Sequence, residues 1–262
     1  ADVRLSFGQV TAGLRKTAAL LALAVMFTGC SAPAESESGA ALPEAVGSMD
    51  IRYAEQFSVD YLADGSALAE VADGRRYLII PDGGEVPEQL PEDVTVISQP
   101  ENIYLASSSS MDLFSSLDCL GDILASSTPE SGWKLPEIAQ AMADEDILYA
   151  GKYSSPDIEL LMSEGCDLAI ENMMIYHSPK TAEQIESCGI PVFIERSSAE
   201  SHPLGRLEWV RLYGLMLGKS DEAEKFFSEK CSLLDEVTSR ESTGCTAAFF
   251  YISSNGSAVV RK

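Results

Sequence analysis

The predicted fold depends on residues 155–198, "SPDIELLMSEGCDLAIENMMIYHSPKTAEQIESCGIPVFIERSS". Two amphipathic helical patterns, near residues 156–165 and 179–187, are each followed by a short apolar run, at residues 168–170 and 192–194. A regular alternation of helix and short buried strand is typical of a parallel β-sheet covered by helices. The segment therefore predicts an α/β domain.

The same alternation begins farther upstream, with strands predicted near residues 103–106 and 122–125 and helices near 109–118 and 135–145. Residues 51–98 have a different pattern. Their β-branched and aromatic runs are separated by Asp-Gly, Gly-Gly and Pro turns, which predicts a small antiparallel sheet. The predicted fold class is therefore α/β, a Rossmann-like parallel-sheet lobe preceded by a small antiparallel β region.

The N-terminal residues have the layout of an export signal. Two basic residues precede an apolar run at residues 17–28 that is too short to span a bilayer comfortably. The tetrapeptide Phe27-Thr28-Gly29-Cys30 resembles the lipobox of bacterial lipoproteins, in which the cysteine is lipidated and becomes the first mature residue. An ordinary signal peptide and a buried helix are the alternatives. We predict a signal peptide over residues 1–29, a lipid anchor on Cys30, a flexible tether over 30–48, and a location on the extracytoplasmic face of the cell membrane.

Charge and cysteine spacing limit the classes of partner and cofactor. The chain has 41 acidic and 18 basic residues, a formal net charge of −23, which makes nucleic acid and anionic lipid surfaces poor partners. The cysteines after Cys30 are odd in number and form no C-x-x-C pair, which disfavours metal clusters and thioredoxin chemistry. We interpret most of them as buried apolar residues; one disulfide, such as Cys166 to Cys188, is the alternative.

Polar loops follow the predicted parallel strands. In open α/β sheets ligands bind outside the carboxyl ends of the strands. The polar stretches that fall there are residues 106–112, 151–159, 170–179 and 195–198. Serine runs at helix starts expose free backbone N–H groups, which suit an anionic or oxygen-rich ligand. Simple helix capping is the alternative for each run taken alone, but four polar loops on one edge predict a binding site.

Three stretches carry a resemblance to a known family: "GKYSSPDIELLMSEGCDLAIEN" (151–172), "GIPVFIERSSAESHPLGRLEW" (189–209) and "LYGLMLGKSDEAEKF" (212–226). Over roughly residues 100–255 the chain resembles the substrate-binding proteins of ABC importers for iron-siderophore, haem and cobalamin. The resemblance implies a ligand held between two α/β lobes that a long rigid helix connects. It also implies delivery of a small metal-chelate ligand to a membrane permease, with no catalysis and no resident cofactor.

The resemblance implies ligand-binding roles where the loops match, and Arg196 is the strongest candidate. Its forked, permanently charged guanidinium suits carboxylates or propionates; an ion pair with Glu195 or Glu200 is the alternative. Trp133 is a candidate to cover a flat ligand, and packing at the edge of the core is its alternative. The full predicted set is Ser107, Ser108, Ser109, Ser110, Trp133, Tyr153, Asn172, Tyr176, His177, Arg196 and Ser197.

The histidines and tyrosines of these loops have two interpretations. Tyr176 and His177 are candidates to coordinate haem iron, although loop residues of these types more often pack or form hydrogen bonds. His202 precedes Pro203 at a helix start, so we interpret it as a cap or structural residue.

Two features depart from the family pattern. The family has a permease-docking glutamate at the start of the helix after the third strand, whereas Pro179 and Lys180 stand there, so Glu183 is a substitute candidate. In addition, "TAAFFYISS" (246–254) predicts the first strand of a second lobe, and the sequence ends soon after it. The expected organisation is a small β region at 49–100, an N-terminal binding lobe at 101–205, helices including the inter-lobe linker at 206–240, and the start of a truncated C-terminal lobe at 241–262.

Two other functions are consistent with an exported chain: a lipid-anchored hydrolase that uses one of the serines, and a sensory or structural lipoprotein. The sequence has no G-x-S-x-G and no H-E-x-x-H motif. A substrate-binding protein is therefore the favoured hypothesis.

The lipobox leads to a test in a bacterial host. The substitution Cys30→Ala removes the thiol that would be lipidated, so the protein is expected to leave the membrane fraction or to accumulate unprocessed. Cell fractionation and intact-mass measurement check this. Unchanged membrane attachment and mass would refute the lipoprotein prediction.

Overall fold

A computed structural model describes residues 41–246 and 248–260. The predicted signal peptide, Cys30 and most of the predicted tether lie outside the described residues.

The first sheet is formed by the N-terminal part of the described chain. Its five strands lie in the order β1-β2-β3-β4-β5. They are β1 (Ala45–Ser48), β2 (Phe57–Leu62), β3 (Ala67–Val71), β4 (Arg76–Ile80) and β5 (Val94–Ser98). Strand β1 falls within the range predicted as tether, and it pairs with β2.

The predicted small antiparallel sheet is confirmed, with one parallel pairing at its edge. Strands β1 to β4 are antiparallel neighbours, but β5 is parallel to β4, with Arg76 opposite Val94 and Ile80 opposite Ser98. A parallel neighbour needs a crossover connection, whereas a tight turn yields an antiparallel one. Residues 81–93, with their Pro and Gly-Gly positions, provide that crossover.

The second sheet is the predicted parallel sheet. Its strands are β6 (Ile103–Leu105), β7 (Ile123–Ser126), β8 (Leu148–Tyr149), β11 (Leu168–Asn172) and β12 (Val192–Glu195); β9 (Gly151–Lys152) and β10 (Ser155–Pro156) form a separate hairpin after β8. The order is β12-β11-β6-β7-β8, and every pairing is parallel. The parallel α/β lobe is thus confirmed, while the two-residue β8 was not predicted.

Six helices are present in the described part of the chain: α1 (Met111–Ser116), α2 (Pro136–Ala143), α3 (Ile158–Ser163), α4 (Pro179–Ser187), α5 (Pro203–Met216) and α6 (Ser220–Thr238). Helix α4 has the predicted bounds; α1, α2 and α3 are shorter than predicted. None of these helices combines the length and the hydrophobicity needed to cross a bilayer. Beyond α6, β13 (Phe250–Ile252) and β14 (Ala258–Val260) form an antiparallel hairpin around the Asn-Gly turn.

The two faces of the second sheet bury different sets of side chains, because successive residues of a strand point to opposite faces. Ile103, Leu105 and Ile170 belong to the larger core, which includes Trp209 and Tyr213 of α5 and the inner face of the first sheet. The opposite face packs against α3 and α4, and its buried residues include Tyr104, Ala169, Leu161, Val192 and Ile185. Helix α5 therefore lies in the core shared by both sheets.

Two buried glutamates connect the first sheet to α5. Glu200, just before α5, and Glu208, within it, are 2 % and 0 % exposed. The carboxylate of Glu208 accepts hydrogen bonds from the backbone N–H groups of Arg52, Tyr53 and Ala54, and that of Glu200 accepts those of Glu55 and Gln56, at 2.7–3.0 Å. The indole Nε1 of Trp209 also donates to Glu200 at 2.9 Å. Two buried carboxylates thus satisfy five consecutive backbone donors.

This contact requires a glycine at position 205. A Cβ atom on Gly205 would lie 2.7 Å from the carbonyl oxygen of Tyr53 and 3.3 Å from the carboxylate of Glu200. The nearest obstacle is backbone, so only a shift of the loop or the helix would relieve the clash.

The described cysteines are unpaired, so the alternative of a Cys166 to Cys188 disulfide is wrong. Cys119, Cys166 and Cys231 are buried, as interpreted from the sequence, whereas Cys188 is half-buried and Cys245 is exposed.

Gly205→Ala tests the contact between the loop and α5. The added methyl group is expected to lower the free energy of unfolding by about 1–3 kcal/mol, since it overpacks a buried site. Denaturant unfolding followed by circular dichroism measures this. Gly121→Ala is the matched control, since a Cβ there meets nothing within 4 Å. Equal stability of the two variants would contradict the close approach.

Candidate functional site

The carboxyl ends of the parallel strands meet at one edge of the second sheet. The loops that follow β6, β7, β8, β11 and β12 all emerge there, as the sequence predicted from its polar stretches. Most of the predicted ligand-binding residues lie in these loops, so the structure brings them to a common edge.

A buried carboxylate organises the serine run after β6. Glu195, 0 % exposed at the end of β12, accepts a hydrogen bond from Ser107 Oγ at 2.9 Å and from the backbone N–H of Ser197 at 2.8 Å. Ser107 Oγ also lies 2.9 Å from Ser109 Oγ and accepts from Ser110 Oγ at 3.3 Å. The loops after β6 and β12 are therefore connected across the end of β11, which lies between those strands.

The serine run divides into buried and exposed members. Ser107 and Ser110 are buried, and Ser110 Oγ shares a 2.9 Å hydrogen bond with the hydroxyl of Tyr213 in α5. Burial raises the pKa of Tyr213 well above its ordinary value, so this phenol stays neutral. Ser108 and Ser109 are exposed and remain accessible to a ligand. The Ser110 side chain makes no capping hydrogen bond to α1, and ligand contact by the exposed serines stays a prediction.

An open cleft of about 240 Å³ lies beside this network, between α1, the turn after β12 and the start of α5. The side chains that line it include Ser109, Asp112, Leu113, Ser198, Arg206 and Leu207. The cleft combines hydroxyl groups, one cationic group, the carboxylate of Asp112 and apolar walls, and a few polar groups among apolar side chains are the usual composition of a small-molecule site.

Arg206 is the cationic group of the cleft, and the sequence analysis did not select it. Its side chain donates to the carbonyl oxygens of Ser198 at 3.3 Å and Glu200 at 3.5 Å. No ion pair of Arg206 with a carboxylate is present in the described part of the chain. One feature of the sequence could have identified Arg206: it lies near the start of a helix that begins at the predicted binding edge. An exposed guanidinium with donors to spare suits an anionic ligand group.

Arg196, the strongest sequence candidate, has other partners. Its Nε and one terminal nitrogen donate to Gln56 Oε1 at 3.2 and 3.1 Å, and the other terminal nitrogen donates to the Tyr176 hydroxyl at 3.0 Å. The alternative of an ion pair with Glu195 or Glu200 is wrong, because those carboxylates are occupied by the hydrogen bonds described above. Arg196 instead connects the end of β12 to the loop before β2.

Tyr176 continues this connection to the first sheet. Its hydroxyl donates to Asp73 at 2.6 Å, and its ring lies 5.9 Å from the Arg196 guanidinium carbon. Partial burial and the hydrogen bond to Asp73 raise the pKa of Tyr176 above its ordinary value. Tyr176 is 42 % exposed, so one side of its ring remains open to solvent at the sheet edge.

The remaining predicted residues have mixed positions. Trp133 Nε1 donates to the Thr128 carbonyl at 3.2 Å, and its half-buried ring packs against the core, in agreement with the packing alternative. Asn172 accepts from the Met174 N–H and donates to the Ala106 carbonyl, which fixes the loop after β11. Tyr153 is half-buried, whereas His177 and Glu183 are exposed. His202 Nδ1 accepts from the Leu204 N–H at 3.1 Å, which confirms its interpretation as a cap.

Comparison with known proteins places the fold. The sequence matches no protein-family profile. An uncharacterized lipoprotein of Methanocaldococcus jannaschii is 23% identical over 173 residues, which is 60% of this chain and 40% of that protein. Among solved structures, a periplasmic haem-binding protein of Vibrio cholerae is 16% identical with a TM-score of 0.50, over 61% of this chain and 58% of that chain. A possible iron-binding periplasmic solute-binding protein of Staphylococcus epidermidis is 13% identical with a TM-score of 0.48, over 62% and 60%.

Over 61% of its length the chain therefore shares an α/β fold with the Vibrio cholerae protein. The chain spans about 40% of the length of the curated relative. It spans 46% to 60% of the lengths of the matched solved structures.

The buried end of the serine network yields a stability prediction. Ser107→Ala removes the hydroxyl donor to Glu195 and leaves a carboxylate oxygen without that partner, which is expected to cost about 1–3 kcal/mol of unfolding free energy. Thermal or denaturant unfolding measures it. Ser108→Ala is the control, since this neighbouring serine is exposed. Indistinguishable stabilities would show that the Ser107 to Glu195 hydrogen bond contributes nothing.

Proposed function

We propose that this protein is the substrate-binding component of an ABC importer, held by a lipid anchor on the extracytoplasmic face of the membrane. It captures a metal chelate, either a ferric siderophore, haem or a corrinoid, and delivers it to a membrane permease. The observation that carries the proposal is the cleft at the carboxyl ends of the parallel strands, lined by Arg206, accessible serine hydroxyls and apolar side chains.

The chemistry of this cleft supports an anionic, partly apolar ligand. Ferric siderophores and haem combine carboxylates or other oxygen donors with carbon-rich frameworks. Arg206 supplies a fork of donors for such oxygens, and Ser109 and Ser198 supply hydroxyl groups. Leu113 and Leu207 provide the apolar contact. Exposed Tyr176 and Met174 after β11 extend the apolar surface along the same sheet edge.

The C-terminal part of the chain is consistent with a protein that holds its ligand between two lobes. Helix α6 follows α5 and is the candidate for the rigid inter-lobe helix, and the hairpin β13–β14 exposes Phe249, Phe250 and Ile252, at 80 %, 62 % and 61 %. Such apolar side chains need a further partner surface, and the proposal assigns it to a second lobe that also closes the cleft. Exposed Glu183 on α4 is the proposed permease-docking residue.

The rival functions differ in what they do to a ligand. An exported hydrolase would consume its substrate, whereas a binding protein returns it unchanged, and a lipoprotein without a chelate site would not saturate with metal chelates. A thermal-shift panel of ferric siderophores, haem and corrinoids on the full-length protein, with product analysis, separates these classes.

A substitution in the cleft tests the proposed site. Arg206→Ala in the full-length protein is expected to weaken binding of whichever chelate gives a thermal shift by about tenfold or more, roughly 1.4 kcal/mol, because the anionic group loses its cationic partner. Isothermal titration measures the affinity. Arg240→Ala is the matched control, since Arg240 is an exposed residue paired with Glu236 at the end of α6. Equal losses in both variants, or none in either, would refute the assignment.

A further inference from the structure

A buried carboxyl group without a hydrogen-bond partner lies beneath the binding edge. Glu171 is the fourth residue of β11, 0 % exposed, and pairs in register with Ile194 of β12. Neither of its carboxyl oxygens has a hydrogen-bond partner in the described part of the chain. The hydroxyl of Tyr104, on the neighbouring strand β6, is buried and unpartnered in the same region.

The surroundings of Glu171 favour its neutral form. Burial away from water raises the pKa of Glu171 to about 8, and no neighbouring charge offsets this. From β6, Tyr104 is the titratable group that faces it, and burial raises the pKa of this phenol also. Two further titratable groups, Tyr149 and Cys166, lie near Tyr104. The helices against this face contribute apolar side chains, among them Leu161, Ala182 and Ile185. An ionised Glu171 would therefore have no cation beside it and must reach water.

The chain on two sides of Glu171 is held by the sheet. Strands β12 and β6 pair with β11 in parallel ladders, so they cannot separate from it without breaking the sheet. The third side differs. Residues Met173–His177 follow the end of β11 as a short 3-10 turn outside these ladders, and Ile175 of this turn is buried in the cluster that also contains Tyr104.

Few bonds hold that turn in place. Asn172 Nδ2 donates to the Ala106 carbonyl at 3.2 Å, and the Tyr176 hydroxyl is bonded to Asp73 and Arg196. The Met174 and Tyr176 side chains are about half exposed. Displacing residues 173–177 breaks no strand pairing, so it is the least disruptive route by which water reaches the Glu171 carboxyl.

We propose that Glu171 is a proton-dependent control of residues 173–177: the neutral carboxyl keeps this turn packed at the end of β11, and the ionised carboxylate releases it from the sheet edge. The turn carries Tyr176 and His177, two of the predicted ligand-binding residues, so release displaces both from the sheet edge. The effect on ligand capture rests on the proposed function, whereas the release itself does not.

The direction of the pH dependence follows from the two protonation states. In the open turn Glu171 is hydrated and titrates near its ordinary pKa of 4.5, while in the packed turn it holds its proton up to about pH 8. Between these values only the open form has lost the proton, so the opening equilibrium constant rises about tenfold per pH unit. Above about pH 8 both forms are ionised and the constant levels off.

Hydrogen–deuterium exchange of the full chain between pH 5.5 and 9.5, corrected for intrinsic exchange rates, tests the proposal without any ligand. Amides of residues 173–177 are expected to lose protection about tenfold per pH unit up to pH 8 in the wild type. In Glu171→Gln, the neutral isostere, their protection is expected to be independent of pH. Asp122→Asn is the matched control: burial also raises the pKa of Asp122, which lies immediately before β7 and far along the chain from residues 173–177, so this variant should retain the wild-type profile.

Three outcomes would overturn the proposal. They are a pH-independent wild type, a Glu171→Gln variant with the wild-type slope, and a parallel loss of protection at Leu105 in the sheet centre, which would mean global unfolding. Glu171→Met, an apolar replacement of similar length, keeps the test valid if the glutamine variant folds poorly, since it predicts the same pH-independent protection.

Discussion

The rest of the structure depends on the bonding of five consecutive backbone N–H groups, from Arg52 to Gln56, to the carboxylates of Glu200 and Glu208. Burying a carboxylate is costly unless hydrogen bonds compensate it, and a buried N–H without an acceptor is costly as well. Each side of this contact therefore requires the other. It fixes the loop before β2, and through it the whole first sheet, against the start of α5. The close approach of Gly205 to the same loop allows no side chain between them.

The position of α5 then determines the binding edge. Glu208 and Trp209 are buried in the core, whereas Arg206 is exposed beside the turn that follows β12. Glu195 holds that turn to the serine run after β6, and Tyr213 of α5 bonds to Ser110 of the same run. Buried groups that a ligand never touches thus place the groups that line the cleft. The same edge contains the opposite case, Glu171, whose buried carboxyl has no such compensation.

Much of the fold was predictable because its signals are local. The alternation of helix and strand between residues 103 and 195 follows from hydrophobic periodicity, and α4 begins at Pro179 and ends at Ser187 as expected from its pattern. The parallel pairing of β5 with β4 was not predictable in this way, since it depends on how residues 81–93 cross the sheet rather than on the strands themselves. The two-residue strand β8 is too short to have a periodicity, so only its neighbour β7 defines it.

The sequence by itself determined that this protein has a parallel α/β lobe with polar loops at the carboxyl ends of its strands, because residue spacing encodes which side chains are buried and where strands end. The tertiary structure decided which of those polar residues remain accessible. Arg196 and Arg206 are equivalent by residue type and lie ten positions apart, yet Arg196 is bonded to Gln56, far earlier in the chain, while Arg206 lines the cleft. Hydrogen-bond partners distant in sequence exist only once the chain is folded, and they separate structural groups from those available to a ligand.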